Sequence, residues 1–174
     1  NVLCQDLDLN SLQGDKEVID ILERMNVVFN ANDIGVRGTT NGELTSTIID
    51  GSQCPDIIPV LTAVAALSKG TTEIINAGRL RIKECDRLNA ICTELNKLGA
   101  DIKELKDGLI INGVKELIGG EVYSHKDHRI AMSLAIASTR CKEEVIIREP
   151  DCVKKSYPGF WEDFKSLSGI LREE

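Results

Sequence analysis

The residues best placed by type and spacing to do chemistry are those of Arg81-Ile-Lys-Glu-Cys-Asp-Arg87. A short strand is expected to run into a helix here. That would set Lys83 and Arg87 four residues apart on one helical face, with Glu84 one turn below Arg87. Like charges at this spacing cost a helix roughly 0.2–0.5 kcal/mol unless an anion lies between them. The unpaired backbone N–H groups of a helix start favour the same anion. A carboxylate held between two cations beside a bound anion is placed to move a proton. Taken alone, the heptapeptide reads more simply as a solvated helix start in which Glu84 and Arg87 pair with each other. Its company changes that reading.

Cys54-Pro-Asp56, Asp127-His-Arg129 and Lys154-Lys155-Ser-Tyr-Pro158 are each read as a helix start as well. Together the four clusters offer Lys83, Arg87, Arg129 and Lys155 as cations, with Asp56 and Glu84 as acid or base. N-capping alone also accounts for Asp56 and Asp127. His128 reads as a base or, more simply, as a packed and hydrogen-bonded residue in the first turn of a buried helix. Of the two adjacent lysines, Lys154 is expected to face solvent and Lys155 to face inward.

These clusters need elements to hold them. Asp15 is expected to cap a helix carrying Val18, Ile21, Leu22 and Met25 inward. Short β-rich runs follow at 27–31, 34–36 and 43–49, then a loop over 51–55. Residues 57–67 predict a helix apolar all round, hence buried on nearly every side, with Pro59 tolerated in its first turn. Residues 71–75 read as a strand, 86–98 as a helix stopped at Gly99, and 101–105 with 108–112 as a hairpin. A strand at 121–123, a second wholly apolar helix at 128–139, a strand at 144–147 and an amphipathic helix over 157–171 complete the chain. Shifting the sequence by about 71 residues lays Asp56 on Asp127, Ala66 on Ala137, Ile74 on Val145 and Lys83 on Lys154. The expected architecture is therefore α/β, made of repeated units whose buried helices pack together and whose polar ends gather on one rim.

Composition bounds the alternatives. A chain of 174 residues, 42% apolar and 28% charged, is long enough to bury a real core. The formal charge of −7 and an aromatic content of 3% leave neither a basic stripe nor a stacking platform for nucleic acid. No apolar run approaches a membrane span, and no signal peptide is visible. The start at Asn1, without an initiator Met, suggests a piece of something longer. Six cysteines show neither C-x-x-C nor metal-ligand spacing, and Cys92 on the apolar face of a helix and Cys141 at the end of another suit small buried thiols in a reducing cytoplasm.

RIKECDRL, DHRIAM and KKSYPGFWED, with PDIIPVLTAVAALSKGTT and NAGRLR before them, resemble the C-terminal signatures of the 5-enolpyruvylshikimate-3-phosphate (EPSP) synthase family. The resemblance is strongest from about Gly51 onward and weaker back to Asn1. It implies an inside-out βαβαββ-repeat fold, with buried parallel helices and small mixed sheets outside. The whole chain, 1–174, would be a single domain, the C-terminal lobe of a two-lobed enzyme, and its partner would be the N-terminal lobe. The implied reaction moves the enolpyruvyl group of phosphoenolpyruvate to the 5-hydroxyl of shikimate 3-phosphate with release of phosphate. It serves the shikimate pathway to aromatic amino acids and uses neither metal nor organic cofactor. By the same resemblance Asp56 would be the base at the shikimate hydroxyls, and Glu84 would move a proton at the phosphoenolpyruvate methylene. Lys83 would bind shikimate 3-phosphate, while Arg87, Arg129 and Lys155 would hold phosphoenolpyruvate. Arg79 stands where some members carry a substrate-contacting Asn and is expected as a further substrate contact. The related UDP-N-acetylglucosamine enolpyruvyl transferases typically lack K-E-x-D-R, and the intact cation set argues against a non-catalytic module.

Overall fold

A computed structural model describes residues 2–40, 42–167 and 169. The first sheet is antiparallel, ordered β1 (Val2–Gln5), β3 (Gly35–Thr39), β2 (Val28–Asn32). Between β1 and β2 a 3₁₀ turn, Gly14–Lys16, enters helix α1 (Glu17–Arg24), which buries Ile21. Asp15 lies inside that turn and does not cap α1, contrary to expectation; Lys16 holds the cap position without a side-chain bond. The turn is pressed against the loop ahead of the next helix. A Cβ on Gly14 would lie 2.0 Å from the Gln53 carbonyl oxygen, so only glycine seats there.

A four-stranded sheet follows, ordered β4 (Ile48–Asp50), β5 (Thr71–Ile75), β7 (Gly108–Asn112), β6 (Asp101–Leu105). β4 runs parallel to β5 and the other pairs are antiparallel. The expected strand over 43–49 is shorter than anticipated, with only a single bridge from Thr45 to Lys69 ahead of β4. The third sheet is the parallel pair β8 (Gly120–Tyr123) and β9 (Val145–Arg148).

The buried helices are α2 (Ile58–Ala65), α3 (Arg87–Lys97) and α4 (His128–Ser138), in mutual contact, with α5 (Phe160–Ser166) behind α4. On α2, Ile58, Pro59, Leu61, Thr62, Ala63 and Ala65 are all buried, as its lack of a polar face requires. Thr62 is satisfied within the helix, its hydroxyl donating to the Ile58 carbonyl at 2.8 Å. Each buried Leu or Ile contributes about 1.5–3 kcal/mol of hydrophobic stabilisation.

The repeat is present in space. Parallel strand, buried helix, parallel strand, 3₁₀ turn and second helix recur in one order: β4, α2, β5, Gly78–Ile82, α3, and then β8, α4, β9, Pro150–Lys155, α5. The β6–β7 hairpin lies between the two units.

Four local expectations change. The 81–87 stretch is not a strand running into a helix: a 3₁₀ turn ends at Ile82, Lys83 is extended, and α3 begins only at Arg87. Lys83 and Arg87 therefore share no helical face. The reason is Asp86, whose side chain accepts from the Asn89 amide and starts the helix there. Residues 55–57 form a 3₁₀ turn ahead of α2, and Lys155 ends a 3₁₀ turn instead of opening a helix. The tail helix is also shorter, since Pro158 disfavours helix at Tyr157 and α5 starts at Phe160. Residues 168, 170 and 171 of the expected helix lie outside the described residues.

Candidate active site

Arg87 is the centre around which the polar ends converge. Capping by Asp86 turns its side chain into the protein, where it is 2% exposed. Nε donates to Asp127 Oδ2 at 2.7 Å, Nη1 to Asp56 Oδ1 at 2.8 Å, and Nη2 to Glu84 Oε2 at 2.8 Å. One planar fork thus joins carboxylates from three separate segments, which a lysine could not do.

Each carboxylate has further partners. Asp127 caps α4, its Oδ1 accepting from the Arg129 amide at 2.8 Å, and is wholly buried. The plain N-cap expected of Asp127 is therefore only half of its part, because it also neutralises Arg87. Asp56 accepts from Lys83 Nζ at 3.2 Å and from Arg129 Nη2 at 3.2 Å, while its backbone carbonyl accepts from Arg129 Nη1 at 3.1 Å. Glu84 accepts from Lys155 Nζ at 3.1 Å. Lys154 instead pairs with Asp151 near the surface. The structure thus joins Asp56, Lys83, Glu84, Arg87, Arg129 and Lys155 in one network, across separations of up to 73 residues.

The network is close to charge balance: four cations against three carboxylates leave a formal excess of one positive charge. Partial burial raises the Asp56 carboxyl, but Arg129, Lys83 and Arg87 outweigh it and hold it below the ordinary carboxylate range. Glu84 is held low by its own backbone amide, and Lys155 and Arg87 add to this against partial burial. Both are ionised at neutral pH in the free protein. Burial and the Asp127 carboxylate push the Cys85 thiol up to about 12, so it remains a neutral donor to Asp127.

His128 is buried, but Nδ1 has no hydrogen-bond partner among the described residues. The fully hydrogen-bonded histidine expected here is thus not what forms. Burial holds its pKa below the usual value, which favours the neutral ring.

Beside the network lies an open cavity of about 430 Å³, lined by Gln13, Gly14, Asp15, Gln53, Pro55, Asp56, Arg79 and Arg129. Arg79 is exposed in its wall and makes no ion pair among the described residues. Gln13 and Gln53 were not singled out by their sequence, and Asp15 only as a helix cap. Their only local signal is Gly14 between two polar residues, and nothing local ties that turn to Gln53.

The model of EPSP synthase (3-phosphoshikimate 1-carboxyvinyltransferase) matches residues 1–164. The chain belongs to the EPSP synthase family. Two relatives named 3-phosphoshikimate 1-carboxyvinyltransferase show how near other EPSP synthase family members lie. The protein of Clostridium perfringens (strain SM101 / Type A) is 82% identical over 171 residues, covering 98% of this chain and 40% of its own length. That of Clostridium beijerinckii is 67% identical over 174 residues, again 40% of its length. An EPSP synthase structure from Acinetobacter baumannii superposes with a TM-score of 0.82 at 28% identity, over 95% of this chain and 41% of that one. The chain thus spans about 40% of the length of the EPSP synthase relatives it matches, and its α/β fold of buried helices and small mixed sheets is theirs.

Proposed function

We propose that this chain is the C-terminal lobe of an enzyme that transfers the enolpyruvyl group of phosphoenolpyruvate to the 5-hydroxyl of shikimate 3-phosphate, releasing phosphate. The observation that carries this reading is the convergence of Asp56 and Glu84 on Arg87, ringed by Lys83, Arg129 and Lys155, with Asp56 and Arg129 in the wall of an open cavity. The N-terminal lobe of the same enzyme completes the site, and the cytoplasm is its compartment.

Both substrates are anions, and the accessible cations are already paired with Asp56 and Glu84. An incoming phosphate or carboxylate takes Lys83, Arg129 and Lys155 from these carboxylates in exchange for charge-assisted hydrogen bonds of its own. Arg79 is the cation that needs no such exchange. Arg87, buried on its three carboxylates behind the cavity wall, reaches phosphoenolpyruvate as the neighbouring carboxylates shift.

Once relieved of its cations and faced by phosphate, the Glu84 carboxyl has its pKa raised by loss of attraction and gain of like-charge repulsion and takes up a proton, while Asp56 stays ionised. Asp56 then takes the proton of the attacking 5-hydroxyl as that oxygen bonds to C2 of phosphoenolpyruvate. Glu84 gives a proton to the methylene carbon and recovers one from the resulting methyl group as the C2–O bond to phosphate breaks, and the proton on Asp56 passes to the departing phosphate. The sequence is redox-neutral, with one C–O bond formed and one broken. Lys83 and Arg79 hold shikimate 3-phosphate, and Arg129, Lys155 and Arg87 stabilise the departing phosphate.

The test is phosphate release from the two substrates by the full-length enzyme, wild type beside Glu84→Gln. Release by wild type and a loss of about 10²–10⁴-fold in the variant, with the fold intact, is the expected result. A folded wild-type protein that releases nothing would defeat the reading.

A further inference from the structure

Lys83 and Glu84 lie on a stretch without helix or strand, between the 3₁₀ turn ending at Ile82 and the first residue of α3. Ile82 at its start is 85% exposed, and within the stretch Cys85 alone packs against the core. Hydrogen bonding closes the two ends of the stretch on each other. Arg81 Nη1 donates to Asp86 Oδ2 at 2.8 Å and to Glu104 Oε1 at 2.7 Å. Glu104 Oε2 accepts from Asn89 Nδ2 at 2.9 Å, and the Asn89 amide donates to Asp86 Oδ1 at 3.1 Å. Arg81, Asp86, Asn89 and Glu104 therefore form a closed ring that brackets residues 82–85.

The same arginine fastens the ring to the β6–β7 hairpin. Nη2 donates to the Leu105 carbonyl at 2.6 Å and Nε to the Lys106 carbonyl at 2.9 Å. The hairpin turn also holds the start of the 3₁₀ segment, the Asp107 carbonyl accepting from the Ala77 amide at 3.0 Å and its carboxylate from the Gly78 amide. A single guanidinium thus uses three nitrogens on two carboxylates and two carbonyls. None of the ring residues lines the cavity.

We infer that Arg81 is a positioning residue: with Glu104 it sets where Lys83 and Glu84 stand against Asp56 and Arg87, without touching substrate itself. This rests on the proposed function for its kinetic consequence but not for its structural one. A displacement of about 1 Å at an acid or base costs on the order of 100-fold in rate. The loss falls on kcat as well as on KM, because Glu84 acts in the chemical step and Lys83 in binding.

The experiment compares wild type, Arg81→Met, Arg81→Lys and Glu104→Gln in the full-length enzyme. It reads hydrogen exchange of amides 82–86 together with kcat, KM and the pH–rate profile for phosphate release. Arg81→Met is expected to speed exchange at 82–86 at least tenfold, lower kcat/KM about 100-fold, and move the limb of the profile set by Glu84. Arg81→Lys keeps the charge but not the fork, so it should resemble Arg81→Met. A near-wild-type Lys variant would show that charge alone matters and overturn the inference. If Arg81→Met does not fold, Glu104→Gln, which opens the ring from the strand side, should still show faster exchange and a loss of about tenfold, a misplacement smaller than 1 Å. Unchanged exchange at 82–86, or faster exchange with unchanged kcat/KM and pH profile, would also refute it. Absence of phosphate release from wild type would instead count against the proposed function, leaving the exchange data to judge the ring.

Discussion

At the scale of single residues, the site is a set of charges that are stable only together. Asp127 is fully buried and is tolerated there because Arg87 and the Arg129 amide both donate to it. Arg87→Ala would strand that carboxylate, and the expected loss of stability is about 3–5 kcal/mol, read by urea denaturation. Asp56 and Glu84 give the site a pH dependence of definite sign. Both carboxyls are depressed in the folded protein, so their stabilisation is complete above the unfolded carboxylate pKa and is lost as pH falls through the folded values. The window opens at about pH 4 and extends downward. Asp56→Asn should flatten part of the acid limb of a Tm-against-pH curve, while a limb identical to wild type would contradict the assigned pairing.

At the scale of elements, the 3₁₀ turns and the hairpin decide where the chemistry stands. The helices supply anchorage: α3 presents Arg87 and α4 presents Asp127 and Arg129, and each start is defined by an aspartate cap. Leu134 of α4 is completely buried in the main core, and Leu134→Ala should cost about 2–5 kcal/mol with no new charge involved. The hairpin has its own requirement. A Cβ on Gly108 would lie 1.8 Å from the Ile74 carbonyl oxygen, so Gly108→Ala must push β7 away from β5. Because that hairpin carries the carbonyls that hold Arg81, the substitution should quicken exchange at 82–86 as well as lower the Tm.

At the scale of the whole molecule, about 40% of the length of the EPSP synthase relatives is present, and the network faces an open cavity. On the proposed function, rate enhancement by orientation requires both substrates to be held on all sides, so the 174-residue chain by itself should show at least about 10³-fold less turnover than the full-length protein. Parallel phosphate-release assays at equal molar concentration test this. Comparable rates would place the complete catalytic apparatus in this chain.

What depends on neighbours a few residues away is legible along the chain. The all-apolar stretches became the buried helices α2 and α4, the Lys-Asp-Gly turn became the β6–β7 hairpin, and the offset of about 71 residues became two like units. The chemical types at the rim are legible too, since charged residues at helix approaches are visible without a fold. The tertiary structure decided which charge meets which. The bonds of Arg87 to Asp56 and Asp127 span 31 and 40 residues, and those of Lys155 to Glu84 and Arg129 to Asp56 span 71 and 73. Periodicity and capping act over one or two turns and carry no information at such distances. A shared helical face was expected of Lys83 and Arg87, whereas the protein leaves Lys83 extended and starts α3 at the Asp86 cap. The Asp86 cap is local, but the bonds of Arg81 and Asn89 to Glu104 exist only once the hairpin has packed against α3.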